Sequence, residues 1–264
     1  QQEYAMQYVV VRADGVVKRI SDLFSEKVLH SDDQWEPMSI DPTLMPYPQE
    51  ADGYATVIQT AKPEFQWSDA TLNFKRPNKN NLIIYELWVY DHTQHRSIAG
   101  LMERMQYFED MGVNAIELMP VTEFDGNENW GYSPNHYFAL DKAYGTPEQM
   151  KTFVDECHKR GIAVIVDVVF NHATGQHPYA KMWWDAGANK TNSQNPFFNV
   201  DAPHNWSVFH DFNHTYTETV NYFDDVLEYW LEEYNVDGFR FDLTKGFVQN
   251  PGNYDAGGYS AERI

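Results

Sequence analysis

Apolar positions change their spacing near residue 80, and the two patterns predict two kinds of structure. From there on, apolar runs alternate with stretches of helical period. Residues 82–89 (LIIYELWV) read as a strand. Residues 98–111 carry apolar side chains at helical spacing through Ile98, Leu101, Met105 and Phe108, and Gly112 ends the helix. Residues 113–119 form a second strand. Thr146, Pro147 and Gln149 open a second helix with an N-cap, a proline in the first turn and a Gln three residues after the cap. That helix runs to Arg160 and stops at Gly161. Residues 162–170 form a third strand, apolar on both faces as a buried parallel strand is. Residues 217–234 form a third helix, and residues 236–242 a fourth strand.

Strand and helix in strict alternation predict an α/β fold with a parallel sheet and right-handed crossovers. No GxGxxG or GxxxxGKS follows the first strand, which disfavours a nucleotide-binding open sheet. Long segments follow strands two and three, where barrel enzymes build their sites. The expectation is a (β/α)₈ TIM barrel with about its first four βα units present, since eight need about 250 residues. A fourth helix is expected to run up to Ile264.

Residues 1–80 read differently. Residues 8–18 place two β-rich runs around Asp14-Gly15, a hairpin signal. Pro37, Pro42, Pro46 and Pro48 exclude a long helix, and residues 54–60 are strand-like. This predicts part of a small β-sandwich, with the polar break PNKNN at 77–81 as the boundary. The expected domains are 1–80, sandwich-like, and 81–264, the first half of a barrel.

Composition narrows the function. With 19 basic and 39 acidic residues the formal charge is −20, which disfavours nucleic acid and anionic membrane surfaces as partners. An aromatic share of 16% suits binding of flat, uncharged ligands such as sugars, although the acidity alone describes only a well-hydrated surface. The one cysteine, Cys157, excludes an internal disulfide and a thiolate metal cluster. No apolar run approaches the ~20 residues of a membrane span. The chain opens at Gln1 with no signal-peptide pattern, as expected of a processed chain or a portion of a longer one. Nothing in the sequence fixes an oligomeric state.

The candidate chemistry lies at the carboxyl ends of the predicted strands. In GFRFD, strand alternation puts Arg240 and Asp242 on one side and Phe239 and Phe241 on the other. A carboxylate beside a guanidinium suits a nucleophile, and equally a structural ion pair. Asp167, Asn171 and His172 follow the third strand as candidate metal ligands, hydrogen-bond donors to a hydroxylated ligand, or local caps. Tyr132, after the flexible Gly131, offers a flat ring to a ligand or packs under its own loop. Asp211 and Asn213 are oxygen donors suited to Ca²⁺, or helix-capping residues.

These motifs carry a resemblance. GVNAIELMPV, GYSPNHYFALDKAYGT, DVVFNH and GFRFD occur in order across residues 80–264 and resemble the α-amylase family of glycoside hydrolases, family thirteen. The resemblance implies a retaining mechanism on α-linked glucans such as starch or glycogen. It puts Asp242 on the nucleophile, Arg240 on the arginine that orients it, and Tyr132 on a stacking tyrosine. Asp167 and His172 fall on residues lining the sugar subsite. Asn171 and Asp211 fall on ligands of a structural Ca²⁺ in members that bind one; no organic cofactor is implied. Many members carry Lys-His after the nucleophile, whereas here Lys245, a further substrate-binding candidate, precedes Gly246. Residues 1–80 resemble the tail of the β-sandwich module of branching enzymes, isoamylases and pullulanases.

Retention requires two carboxyl groups about 5–5.5 Å apart. The resemblance puts the acid/base Glu and a third carboxylate after strands five and seven, beyond Ile264. The expectation is that this stretch alone neither hydrolyses starch nor folds as a stable monomer. Hydrolysis of α-1,4 bonds is the leading activity, with branching, debranching and non-catalytic carbohydrate binding as alternatives. A metal-dependent hydrolase using Asp167, His172 and Asp211 is a further one. A glucan-degrading enzyme without cysteine pairs is compatible with a secreted or periplasmic location.

Overall fold

A computed structural model describes residues 2–34 and 41–249. The expected fourth helix up to Ile264, from residue 250 on, and Pro37 lie outside the described residues. Four strands, β1 (Ile84–Leu87), β2 (Ala115–Leu118), β3 (Ala163–Val168) and β4 (Gly238–Phe241), form one sheet in the order β4-β3-β2-β1. Every neighbouring pair is parallel. Sequence order equals spatial order, as in a barrel wall, and there is no reversal point of the kind that defines a doubly wound sheet.

The two faces of this sheet differ because strand side chains alternate. Leu87, Ile116, Leu118, Val164, Val166 and Val168 point to the helix side and join the main core, with Tyr85, Phe239 and Phe241 packed against it. The other face carries Glu86 beside Glu117, and Asp167 beside Arg240. Arg240 and Asp242 thus share a side, opposite Phe239 and Phe241, as the alternation predicts.

Between β1 and β2 the predicted single helix is two, α1 (Ile98–Met102) and α2 (Met105–Asp110). The amides of Glu103 and Arg104 bond back three residues, to Gly100 and Leu101, tightening the chain between the helices. The apolar stripe survives the break, since Ile98, Leu101, Met105 and Phe108 are all buried. Helix α3 (Pro147–Lys159) begins with the expected reciprocal cap. Thr146 Oγ1 accepts the Gln149 N–H, and Gln149 Oε1 accepts that of Thr146. Helix α4 (Thr217–Tyr234) has the predicted bounds and buries Tyr222, Phe223, Val226, Trp230 and Tyr234 along one face. No helix among the described residues is long and apolar enough to cross a membrane.

The N-terminal segment forms a three-stranded antiparallel sheet from Gln2–Met6, Ala55–Thr60 and Val28–Leu29, plus the predicted hairpin of Tyr8–Val11 with Val17–Ile20. Gly15 turns that hairpin with φ +82°. The segment is bonded to the α/β body. The Tyr54 hydroxyl donates to the Phe124 carbonyl (2.9 Å), Ser21 Oγ lies 2.7 Å from His136 Nε2, and Val28 and Tyr54 pack on Ala139.

Candidate active site

The strand register brings the site together. Asp167 on β3 is the direct neighbour of Arg240 on β4, so both project from the same face at the carboxyl end. Arg240 Nη1 donates to Asp167 Oδ2 at 3.0 Å and to Asp242 Oδ1 at 2.7 Å. The Tyr132 hydroxyl donates to the same Asp167 oxygen at 2.7 Å. One guanidinium nitrogen thus ties two carboxylates together, and a phenol closes the group from the loop after β2.

Tyr132 reaches this point because of its neighbours. Gly131 has φ +95°, and a Cβ there would run into the Pro120 carbonyl. Sequence analysis did not foresee the antiparallel hairpin of Thr122–Phe124 with Pro134–Leu140, which carries the loop. The His172 ring completes the support. Its Nδ1 accepts from Asn171 Nδ2 at 2.9 Å, which leaves Nε2 to donate to the Tyr132 carbonyl at 2.9 Å. Burial lowers the pKa of His172, in keeping with this neutral form. Both ring nitrogens are therefore engaged within the protein, and His172 acts on Tyr132. The charge of Asp242 is felt at both Tyr132 and His172.

Burial sets the electrostatics. Asp167 is sealed from water with Oδ1 lacking a hydrogen-bond partner. Burial raises its pKa from 3.8 to about 6, against the opposing pull of Tyr132 and Arg240. Burial and the bond to Asp167 push the Tyr132 hydroxyl up. Arg240 loses some charge preference to burial, but the two carboxylates outweigh this and raise its pKa.

The sign of the resulting pH dependence is fixed. Asp167 holds its proton more tightly folded than unfolded, so stability falls as pH rises through the window from 3.8 to about 6. A shift of about two units corresponds to about 3 kcal/mol. In the intact protein, Asp167→Asn is expected to flatten this slope, gaining up to about that amount on the parent between pH 4 and 7. Denaturant unfolding at several pH values measures it, and parallel profiles would show that Asp167 is not the group responsible.

The remaining candidates lie outside this group. Lys245 is exposed on the turn Thr244–Phe247, with Nζ 5.2 Å from the centre of the Trp206 ring. Asn213 Oδ1 accepts from the Thr215 amide and hydroxyl, which makes it a local cap. Asn171 and Asp211 do meet. The Phe212 amide donates to the Asn171 carbonyl, and Asp211 pairs with His172 across a short antiparallel ladder. Asp211 Oδ2 accepts from Asn199 Nδ2 at 2.7 Å, while its Oδ1 lies 3.0 Å from His204 Nε2. The same nitrogen lies 2.9 Å from the Gly246 carbonyl oxygen. These oxygens have the hardness that Ca²⁺ prefers, but the imidazole occupies the space between them, so the arrangement does not fit the ion. No group of three or more His, Cys, Asp or Glu side chains suited to a metal occurs among the described residues.

Sequence reasoning passed over Glu117, which lies on the same face as Asp167 beside Glu86 and whose pKa is raised by burial and by that neighbour. Its strand alternation was the available signal. It also passed over Asn199 and His204, which lie in irregular chain without periodicity.

Comparison with known proteins agrees with the geometry. The model of the α-amylase catalytic domain matches residues 73–210. The malto-oligosyltrehalose trehalohydrolase of Saccharolobus solfataricus is 30% identical over 244 residues, covering 92% of this chain and 39% of the relative. Chloroplastic isoamylase 3 of Oryza sativa subsp. japonica is 32% identical over 231 residues, covering 71% and 28%. The crystal structure of a pullulanase from an Anoxybacillus species superposes with a TM-score of 0.62 at 23% identity, covering 92% of this chain and 36% of that one. The chain spans 27–39% of the length of these and similar curated relatives. A match over more than half its length, on top of the Tyr132–Asp167–Arg240–Asp242 group at the carboxyl end of a parallel sheet, means that this chain belongs to the α-amylase family.

Proposed function

We propose that this chain is the nucleophile-bearing part of a retaining glycoside hydrolase acting on α-glucans of the starch or glycogen type. The observation that carries this reading is Arg240 Nη1 bridging Asp167 Oδ2 and Asp242 Oδ1 at the carboxyl end of neighbouring strands. Asp242 is the less enclosed of the two carboxylates, with its side chain 23% exposed against 0% for Asp167. It is the one able to meet a substrate.

In this proposal an Asp242 oxygen attacks the anomeric carbon. The glycosidic bond breaks, and its oxygen leaves with a proton from a second carboxyl group. Water then cleaves the glycosyl ester as that group takes a proton back, and the product retains its anomeric configuration. The resemblance supplies the second carboxyl as a Glu after a fifth strand, in an eight-stranded barrel of which β1–β4 are the first half. Tyr132 lies under the sugar, and Arg240 aims Asp242. The N-terminal sheet and hairpin belong, on the same proposal, to a sandwich-like module ahead of the barrel.

Cleavage of α-1,4 bonds is the leading activity. Debranching at α-1,6 bonds is the second reading, favoured by the isoamylase relatives and the pullulanase neighbours. Incubating the intact protein with unbranched amylose and with pullulan separates them. Malto-oligosaccharides from amylose, released as the α-anomer, support the first. Maltotriose from pullulan supports the second. Glucan binding with neither new reducing ends nor any change in the proportion of α-1,4 and α-1,6 linkages would sink the enzymatic reading altogether.

A further inference from the structure

We infer that the corner formed by Asn171, Asp211 and Gly246 is pinned by the imidazole of His204 and holds no metal ion, the imidazole standing where the family resemblance places calcium. His204 has no exposed side-chain surface. The Trp206 amide donates to its Nδ1 at 3.2 Å, so the proton sits on Nε2. That N–H is directed at the Gly246 carbonyl (2.9 Å) and passes 3.0 Å from Asp211 Oδ1. A calcium ion requires 6–8 oxygens at 2.3–2.6 Å, and here the point between two of its would-be ligands is filled by a donor.

The surroundings agree. Asn199 Nδ2 already occupies Asp211 Oδ2, and also lies 2.7 Å from Gln249 Oε1. Gly246 stands where many family members have histidine. A Cβ there would overlap the side-chain oxygen of Asn171, so the turn Thr244–Phe247 closes directly onto Asn171. Asn171 Oδ1 and Asp211 Oδ1 are buried without an aligned donor. Asp211 Oδ1 and the Gly246 carbonyl oxygen flank the imidazole nitrogen, and they are the oxygens that a cation would claim if the ring were removed.

The test measures thermal unfolding of the intact protein in EDTA and in millimolar CaCl₂. The parent is expected to unfold at the same temperature in both. His204→Ala is expected to lose roughly 3–10 °C in EDTA, because it leaves the Trp206 N–H without its acceptor and takes the imidazole N–H away from the Gly246 carbonyl and the buried Asp211 carboxylate. It is also expected to regain part of that loss in CaCl₂, a response the parent lacks. Should His204→Ala fail to fold, His204→Gln, which keeps an amide N–H within reach, is expected to fold with a midpoint close to the parent in EDTA. A calcium-dependent rise in the parent that Asp211→Asn abolishes would overturn the inference. One that persists in Asp211→Asn arises at another site and leaves this corner metal-free as inferred. A His204→Ala protein as stable as the parent in EDTA, or one indifferent to calcium, would equally overturn it.

Discussion

Asp242→Asn in the intact protein is expected to lower kcat on its α-glucan roughly 10⁴-fold or more, the scale seen when a covalent nucleophile is removed. Affinity for the glucan should change little. Asparagine fills the same volume and still presents an oxygen to Arg240 Nη1, which in the parent lies 2.7 Å from Asp242 Oδ1. The amide oxygen cannot carry the charge that attacks the anomeric carbon, so the loss falls on the chemical step and not on binding. A chemical rescue sharpens the assignment. In Asp242→Gly, added azide can enter the vacated space and attack from the same face, giving a glycosyl azide of inverted configuration. A variant that keeps turnover, or an azide product that never forms while the protein stays folded, would assign the nucleophile to another residue.

The parts of this molecule that could be read from its sequence are those in which local chemistry and tertiary context agree. Thr146 and Gln149 specify their reciprocal cap without help from elsewhere, and the structure has it. The apolar runs of β1–β4 are long enough to identify, and alternation in GFRFD put Arg240 and Asp242 on one side before any partner was visible. Failures occurred where tertiary contacts decide. Residues 98–111 keep helical apolar spacing straight through a tightened turn, because burial of Leu101 and Met105 constrains their direction but not the continuity of the backbone between them. The hairpin that carries Tyr132 is invisible because Pro134–Leu140 is buried at every position, which removes the alternation that marks a strand. His172 sits in a recognisable motif, yet which groups its two nitrogens meet depends on Asn171 and on the Tyr132 carbonyl, forty residues away in sequence. His204 had no motif at all.

Arg240 is expected to resist conservative replacement. Its Nη1 lies 3.0 Å from Asp167 Oδ2 and 2.7 Å from Asp242 Oδ1, holding apart two carboxylates that would otherwise repel at close range. Lysine keeps the charge but loses the planar fork that fixes direction, so Arg240→Lys should leave Asp242 charged and poorly aimed. Removing one partner of a buried pair costs about 3–5 kcal/mol, and the figure should be lower here because the site is partly open to solvent. The Arg240 side chain is 43% exposed. A stability loss of about 2–4 kcal/mol is the expected outcome for Arg240→Leu, and kcat/KM should fall roughly 10²-fold because Asp242 is no longer aimed, with Arg240→Lys recovering only a small part. The pH profile separates positioning from mere stability. Arg240 currently pulls the Asp167 pKa down against burial, so in Arg240→Leu that group should titrate above its present value of about 6. Any limb of the rate profile governed by Asp167 would move to higher pH with it. A lysine variant with parental turnover and an unmoved profile would mean that simple positive charge suffices, and that the fixed direction of the guanidinium Nη1 has no part in aiming the nucleophile.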